Sequence, residues 1–495
     1  MHSLRKSGIL LHPTSLPGSG GIGSLGGEAR AFIDFLAQAG QSLWQLLPLG
    51  PTGFGNSPYS CYSAFAGNPL LINCEILAEE GDLGAQECGD QDGEEQVEYP
   101  VVQERKLRLL RKGADAFFAG EDRARQDEFL AFRENTPWLQ DFTLFMALKE
   151  QFGGACWNDW PAELRDRTPA SLAEYGSLLA YEVKVLCYLQ WQFFRQWRGI
   201  REYAAGKGIE IVGDLPIFVA YDSAEVWANP TLFKLDPAGI PTVIAGVPPD
   251  YFSPTGQLWG NPHYDWDALA ATGYAWWIQR MRNSLELYDI VRIDHFRGFA
   301  ASWEVPFGDD TAINGRWVAG PGPALFQALE VALGKMPIIA EDLGVITPDV
   351  EELRDSFAFP GMKILHFAFD SGPDNQYLPH NHLRQAVVYT GTHDNDTTAG
   401  WFAKLPEQEQ RQVRRYLQYQ GDDMVWELIR TALASVAETA IIPLQDLLTL
   451  GSDSRMNMPG TVGSNWSWRY RRGELTPPLA DRLADFTELY GRKRR

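Results

Sequence analysis

Residues 290–294 read Ile290-Val291-Arg292-Ile293-Asp294. Three β-branched apolar residues in five predict a buried strand. Arg292 and Asp294 stand two apart, so both side chains point to one face. A guanidinium beside a carboxylate favours the ionised acid, and Asp294 is expected to have a lowered pKa. Working outward, seven more short runs of the same character occur at residues 9–12, 43–48, 209–214, 338–342, 362–366, 386–390 and 440–443. Helical stretches separate most of them. Phe32, Ile33, Leu36 and Ala37 recur at helical spacing before Gly40, a C-cap residue.

Eight β runs alternating with helices predict an α/β protein, a (β/α)8 or TIM barrel with helical and loop insertions between strands. The alternative is a doubly wound open sheet. It needs a phosphate-type glycine turn opening a helix after the first strand, and residues 18–27 carry glycines without that pattern. A chain of 495 residues is either one large domain with insertions or two to three ordinary ones. The strand pattern selects a single catalytic barrel over 1–495. A mainly helical insertion is expected at 55–205 after the second strand, and a loop-rich one at 215–285 after the third. The aromatic residues of the first insertion, among them Trp138, Phe142, Phe145, Trp157, Trp160, Trp191, Phe194 and Trp197, read mostly as core. Its acidic start (Asp90, Asp92, Glu94, Glu95) reads as a solvated loop.

Composition narrows the function. Lysine plus arginine number 43 and aspartate plus glutamate 64, a net charge of −21 that repels polyanions and excludes nucleic acid as an expected partner. No apolar run reaches the length of a membrane span. The apolar run after Arg5 and Lys6 ends at His12-Pro13, so no signal peptide is expected. Five cysteines without a CxxC spacing read as reduced thiols of a cytoplasmic protein. The basic end, residues 492–495, reads as a frayed, solvated terminus. Seventeen tryptophans are many, and some are expected to line a binding surface.

The chemistry collects where strands end. Asp214, Asp294, Glu341 with Asp342, and Asp394 all follow or close β runs, and barrel active sites lie at the C-terminal ends of the strands. One such acid alone reads as a cap or an ion-pair partner; four at equivalent positions point to a site. Their mutual repulsion is expected to raise Glu341, while Arg292 keeps Asp294 charged. Two carboxyls with divergent pKa values suit retaining glycosidic chemistry. A metal is not expected: no HExxH occurs, and Arg292 and Arg297 flank Asp294. His295 and His393 adjoin candidate acids as donors to a sugar hydroxyl; His380 and His382 read as exposed. The loop at 247–262 is rich in proline and glycine yet carries Tyr251, Phe252 and Trp259, rings that could stack on a sugar and exclude water. Asn56-Ser57-Pro58-Tyr59 after the second strand is a similar segment.

At these positions the chain resembles the 4-α-glucanotransferases called amylomaltases or disproportionating enzymes, glycoside hydrolase family 77, relatives of the α-amylase clan. The resemblance runs from Gly8-Ile9-Leu10-Leu11-His12-Pro13-Thr14-Ser15-Leu16-Pro17 to Asn465-Trp466. Between them come Gly55-Asn56-Ser57-Pro58-Tyr59, Gly213-Asp214-Leu215-Pro216-Ile217, Arg292-Ile293-Asp294-His295-Phe296-Arg297-Gly298, Ala340-Glu341-Asp342-Leu343-Gly344 and Gly391-Thr392-His393-Asp394-Asn395. It implies Asp294 as nucleophile, Glu341 as general acid then base, and Asp394, beside His393, as the residue that binds sugar hydroxyls and distorts the ring. Arg292 would position Asp294, and Asp214, Tyr59, Ser57, Trp259 and Asn465 would contact glucose units. Tyr251-Phe252 would form a lid over the acceptor side, and a second glucan groove would involve Phe54 and Tyr99. The implied substrates are α-1,4-glucans (maltooligosaccharides, amylose, glycogen) with glucose as acceptor, and no cofactor. Intramolecular transfer would give cyclic glucans. Retention by double displacement implies carboxyls about 5–5.5 Å apart.

Overall fold

The computed structural model describes residues 5–89, 95–249 and 253–493. Eight parallel strands form one sheet: β1 (Lys6–Leu10), β2 (Leu43–Gln45), β3 (Glu210–Pro216), β4 (Ile290–Asp294), β5 (Ile338–Ala340), β6 (Gly361–Ile364), β7 (Ala386–Tyr389) and β8 (Thr439–Pro443). The hydrogen-bonded order is β6-β7-β8-β1-β2-β3-β4-β5. The chain order therefore wraps round on itself, with β8 paired to β1, and the sheet is a barrel. Helices such as Gly27–Gln38, Ala275–Leu287, Pro323–Leu333 and Met424–Ala434 lie between strands. With both faces covered, the strands are apolar almost throughout.

The seam of the barrel lies between β5 and β6. Ala340 N donates to Pro360 O at 3.0 Å, and Met362 N donates to Asp342 Oδ1 at 2.7 Å. Asp342 also pairs with Arg354. Gly361 leaves it room: a Cβ there would come within 2.2 Å of Asp342 Oδ2. Of the adjacent acids Glu341 and Asp342, alternation thus sends one to the seam and leaves the other for the mouth.

Between β2 and β3 lie several helices, the longest being Tyr99–Ala119 and Ala180–Gly206. Their facing sides bury Phe117, Phe129, Tyr188 and Trp191 against one another. Trp157 and Trp197 are also buried, each donating its indole N–H to a backbone carbonyl. Most tryptophans are thus interior. Glu95 is exposed and pairs with Arg471; residues 90–94 lie outside the described residues.

A second, antiparallel sheet stands over the barrel mouth. Its order is Gln257–Pro262, Val243–Val247, Ala301–Pro306, Arg316–Ala319. Its first two strands follow β3 and its last two follow β4, so it is assembled from two separate insertions.

Two surface expectations are overturned. Arg492 is fully buried, and its guanidinium donates to the carbonyls of Lys6, Leu433, Ser435, Ala437 and Glu438. The basic end is therefore a latch at this residue, because carbonyls from both ends of the chain converge where water cannot reach them. His382 is buried too, held between Ser435 Oγ at 2.7 Å and Tyr377 O at 2.8 Å. All five cysteines are free thiols. Among the described residues no helix is long and apolar enough to cross a membrane.

Candidate active site

The parallel register of β3 and β4 sets Asp214 opposite Arg292. Arg292 Nη1 donates to both Asp214 oxygens, at 2.7 and 2.6 Å. Its Nη2 lies 3.0 Å from Asp294 Oδ1. Asp214 and Arg292 are buried, whereas the Asp294 side chain is 29% exposed. One arginine therefore joins two carboxylates, one buried beneath the mouth and one facing it. Tyr59 reaches across from the segment after β2 and donates its hydroxyl to Asp214 Oδ2 at 2.6 Å.

Glu341 follows β5 and is held from three sides. Its Oε2 accepts from His295 N at 2.6 Å and its Oε1 from Leu343 N at 3.0 Å. Its carbonyl accepts from Phe296 N at 3.1 Å, and its own N–H donates to Ile293 O at 3.0 Å. The turns after β4 and β5 are thus laced together, which brings Asp294 and Glu341 to one place. His295 has a left-handed backbone, φ +51°. That is a costly conformation for a non-glycine residue, and it aims the N–H at Glu341.

The carboxyl pKa values correct the expectation for Asp294. Burial pushes it upward, against Arg292 and with help from Asp214, Glu341 and Asp394. Burial also raises Glu341, against Arg292 and the two N–H donors. The guanidinium does act downward as expected, but desolvation outweighs it. His295 is lowered to about 3 and His393 is also lowered, both mainly by burial, so both are neutral imidazoles at neutral pH.

Asp394 lies beyond β7, 47% exposed, with His393 Nε2 3.4 Å from its Oδ2. Asn457 Nδ2 donates to its Oδ1 at 2.6 Å, and Arg455 to its carbonyl. His393 stacks on Tyr59 with centroids 5.1 Å apart, and Trp466 packs on both rings. Through Tyr59, this wall connects the Asp394 side of the mouth to Asp214. On the other side Trp259 meets His295 edge to face at 4.8 Å, and Phe218 packs against both. Trp259 is 38% exposed.

Other expected residues lie differently. Ser57 Oγ accepts from Tyr59 N at 3.2 Å, so it shapes the turn that delivers Tyr59. The Asn465 amide closes its own loop onto Met458 and Thr461; its neighbour Trp466 is the one packed at the mouth. Tyr99 is buried among Ile22, Leu70, Val97 and Val102, with its hydroxyl on Trp466 O. It presents no ring to a surface groove, although Phe54 is 80% exposed. Tyr251 and Phe252 lie outside the described residues. Sequence reasoning missed Phe218, Asn457 and Trp466 as members of the site. Phe218 stands one residue beyond the motif ending at Ile217, and Trp466 closes the last matched motif; nothing local marks Asn457.

Among the described residues no three His, Cys, Asp or Glu side chains are grouped to hold a metal ion. The arrangement offers two carboxyls raised by burial, one of them in an ion pair. A third carboxylate stands opposite, and aromatic rings flank both sides.

Comparison with known proteins gives the following. A family model described as 4-alpha-glucanotransferase matches residues 11–476. A 4-alpha-glucanotransferase of Synechocystis sp. is 54% identical over 99% of this chain and 98% of its own. One from Thermus thermophilus is 51% identical, covering 98% of both chains. The solved amylomaltase of Streptococcus agalactiae in complex with acarbose superposes with a TM-score of 0.96 at 42% identity, over 99% of this chain and 100% of that one.

Proposed function

The chain belongs to the 4-alpha-glucanotransferase family, and on that premise we propose that it moves a segment of one α-1,4-glucan to the 4-hydroxyl of another glucan or of glucose, by double displacement at Asp294. The observation that carries this reading is the joint held by Arg292, His295 and Glu341. An ion-paired carboxylate and a carboxyl held by two backbone N–H groups sit on laced turns at the mouth.

The geometry supports the following roles. Arg292 at 3.0 Å favours the negative charge on Asp294, and Glu341, raised by burial, carries the proton. A glucan lies across the mouth with its scissile bond between them. The Glu341 proton passes to the glycosidic oxygen, Asp294 attacks C1, and the C1–O bond breaks with its electron pair leaving on the protonated fragment. A covalent glycosyl-enzyme remains. The acceptor's 4-hydroxyl then loses its proton to Glu341 as its oxygen attacks C1 and releases Asp294. Two inversions retain the α configuration. Asp394, held by Asn457 and next to neutral His393, is placed to bind ring hydroxyls and favour a distorted ring. Tyr59, His393 and Trp466 form the donor-side wall, and Trp259 with Phe218 and His295 the acceptor side. Sugar bound against these rings displaces water, which is what transfer requires over hydrolysis. Five free thiols fit a reducing compartment, the cytoplasm.

The test is incubation with maltotriose, with and without a chelator, and separation of the products. A ladder of longer maltooligosaccharides plus glucose, indifferent to chelator, is expected. Glucose and maltose alone would make the protein a hydrolase and overturn the transfer reading.

A further inference from the structure

Arg297 has no task in the chemistry above, yet its surroundings are unusual. It sits three residues after Asp294, in the short helical turn Phe296–Phe299, and is 6% exposed. Its guanidinium donates to Val345 O in the loop after β5. Its plane lies over the Trp317 ring, 3.8 Å from the centroid, and its Nε is buried without a partner. A buried cation with so few bonds is costly. What it joins is therefore informative: the turn that carries Asp294 and the far end of the loop that begins with Glu341.

Leu343 and Ile346 pack against the core, and the stretch between them is open. Gly344 has φ +81° with open space around it, and Val345 is 57% exposed. The near end is fixed by Leu343 N on Glu341 Oε1. If the Val345 end swings out, Leu343 moves with it and the carboxyl loses one of its two orienting donors. Trp317 is itself firmly mounted. It faces Trp303 across the antiparallel pair, with rings 5.2 Å apart. The end of its strand is pressed onto the Phe296–Phe299 turn: Gly320 N donates to Ala300 O at 2.8 Å, and a Cβ on Gly320 would meet Phe299 O at 2.3 Å.

We propose that Arg297 is a positioning residue. Backed by the Trp317 ring, it clamps the Val345 end of the loop so that the Glu341 carboxyl is held at the protonating angle to the bond that Asp294 attacks. The idea rests on the acid and nucleophile roles given above. It makes a prediction that a purely structural arginine does not: its loss should matter in proportion to how much the leaving group needs a proton.

Maltotriose and α-maltosyl fluoride test this, because both lead to the same maltosyl-enzyme. With maltotriose the departing glucose oxygen must be protonated. With the fluoride the C1–F bond breaks and fluoride leaves with the electron pair, needing no proton from Glu341. The first step is followed as the burst of glucose or of fluoride. In Arg297→Ala the glucose burst should slow about 10- to 100-fold, the range of a misaligned general acid, while the fluoride burst stays within about threefold of wild type. Arg297→Lys should not restore it, since an ammonium neither stacks on Trp317 nor donates as a planar fork. Trp317→Ala should show the same selectivity at smaller amplitude, and it carries the test if Arg297→Ala does not fold. Equal slowing of both bursts, or no slowing with maltotriose, overturns the proposal. Glu341→Gln is the control: it must slow the glucose burst and spare the fluoride burst. If it slows both alike, the acid assignment itself is wrong.

Discussion

Asp214 and Asp294 depend on the same guanidinium but carry different burdens. Asp214 is wholly buried and takes two bonds from Arg292; Asp294 faces the cleft with one. Asp294→Asn keeps the shape and removes the nucleophile. Transfer should fall about ten-thousandfold with the circular dichroism spectrum unchanged, and near-wild-type activity would exclude the assignment. A second residue gives a pH test away from the chemistry. Glu225 is buried, its Oε1 accepts from Ser63 Oγ at 2.7 Å, and its Oε2 has no partner. Burial pushes its carboxyl up to about 7 from the ordinary 4.5. The folded state thus favours the protonated form. The contribution is whole below the unfolded pKa, shrinks as pH rises through the window, and is gone above the folded pKa, a change of about 3 kcal/mol. Glu225→Gln keeps a neutral group at every pH. Its unfolding midpoint should gain on wild type between pH 5 and pH 8, and a constant difference across that range would refute the shift.

At the scale of elements, the seam and the antiparallel sheet are where the barrel departs from a plain repeat. The β5–β6 gap is bridged by the Asp342 side chain under Gly361. Gly361→Ala should push Asp342 off Met362 N and Arg354, lowering the melting temperature and, because Glu341 is the preceding residue, lowering kcat more than it raises KM. Steady-state kinetics with maltotriose reads both parameters. The antiparallel sheet supplies Trp259, whose ring meets His295 edge to face on the side proposed above for the acceptor. Trp259→Ala removes a sugar platform and admits water. The ratio of hydrolysis to transfer should rise severalfold, read as free glucose against chain lengthening; an unchanged ratio would remove the acceptor role from this ring.

At the scale of the whole molecule, the barrel must be closed in sequence as well as in space. β8 pairs with β1 over five residues, from Lys6↔Thr439 to Leu10↔Pro443. Arg492 ties this junction from below through Lys6 O, Glu438 O and the carbonyls after the Met424–Ala434 helix. Arg492→Ala would strand those carbonyls without water. The expected cost is about 3–5 kcal/mol, seen as an earlier urea midpoint with an unchanged slope, while kcat at 25 °C changes little because the mouth lies at the opposite end of the strands.

Local pattern was enough for some of this. Each of the eight strands is announced by a short, mostly apolar run, since a strand buried on both faces must be apolar along most of its length. Asp294 with Arg292, Glu341 and Asp394 stood out because acids at four equivalent strand ends are more than caps and ion pairs need. The resemblance supplied their roles. Tertiary structure decided what depends on neighbours distant in sequence. The pKa of Asp294 turned on burial, which no spacing reveals. Asp342 went to the seam and Tyr99 to a core, because packing spends polar atoms and rings that look available in one dimension. Arg492 became a latch only because the carbonyl of Lys6 and those of residues 432–438, distant in sequence, converge on it. The Arg297 clamp exists only where three loops meet, and strands 210–216 and 290–294 had to pair in register before Asp214 and Asp294 could share one arginine.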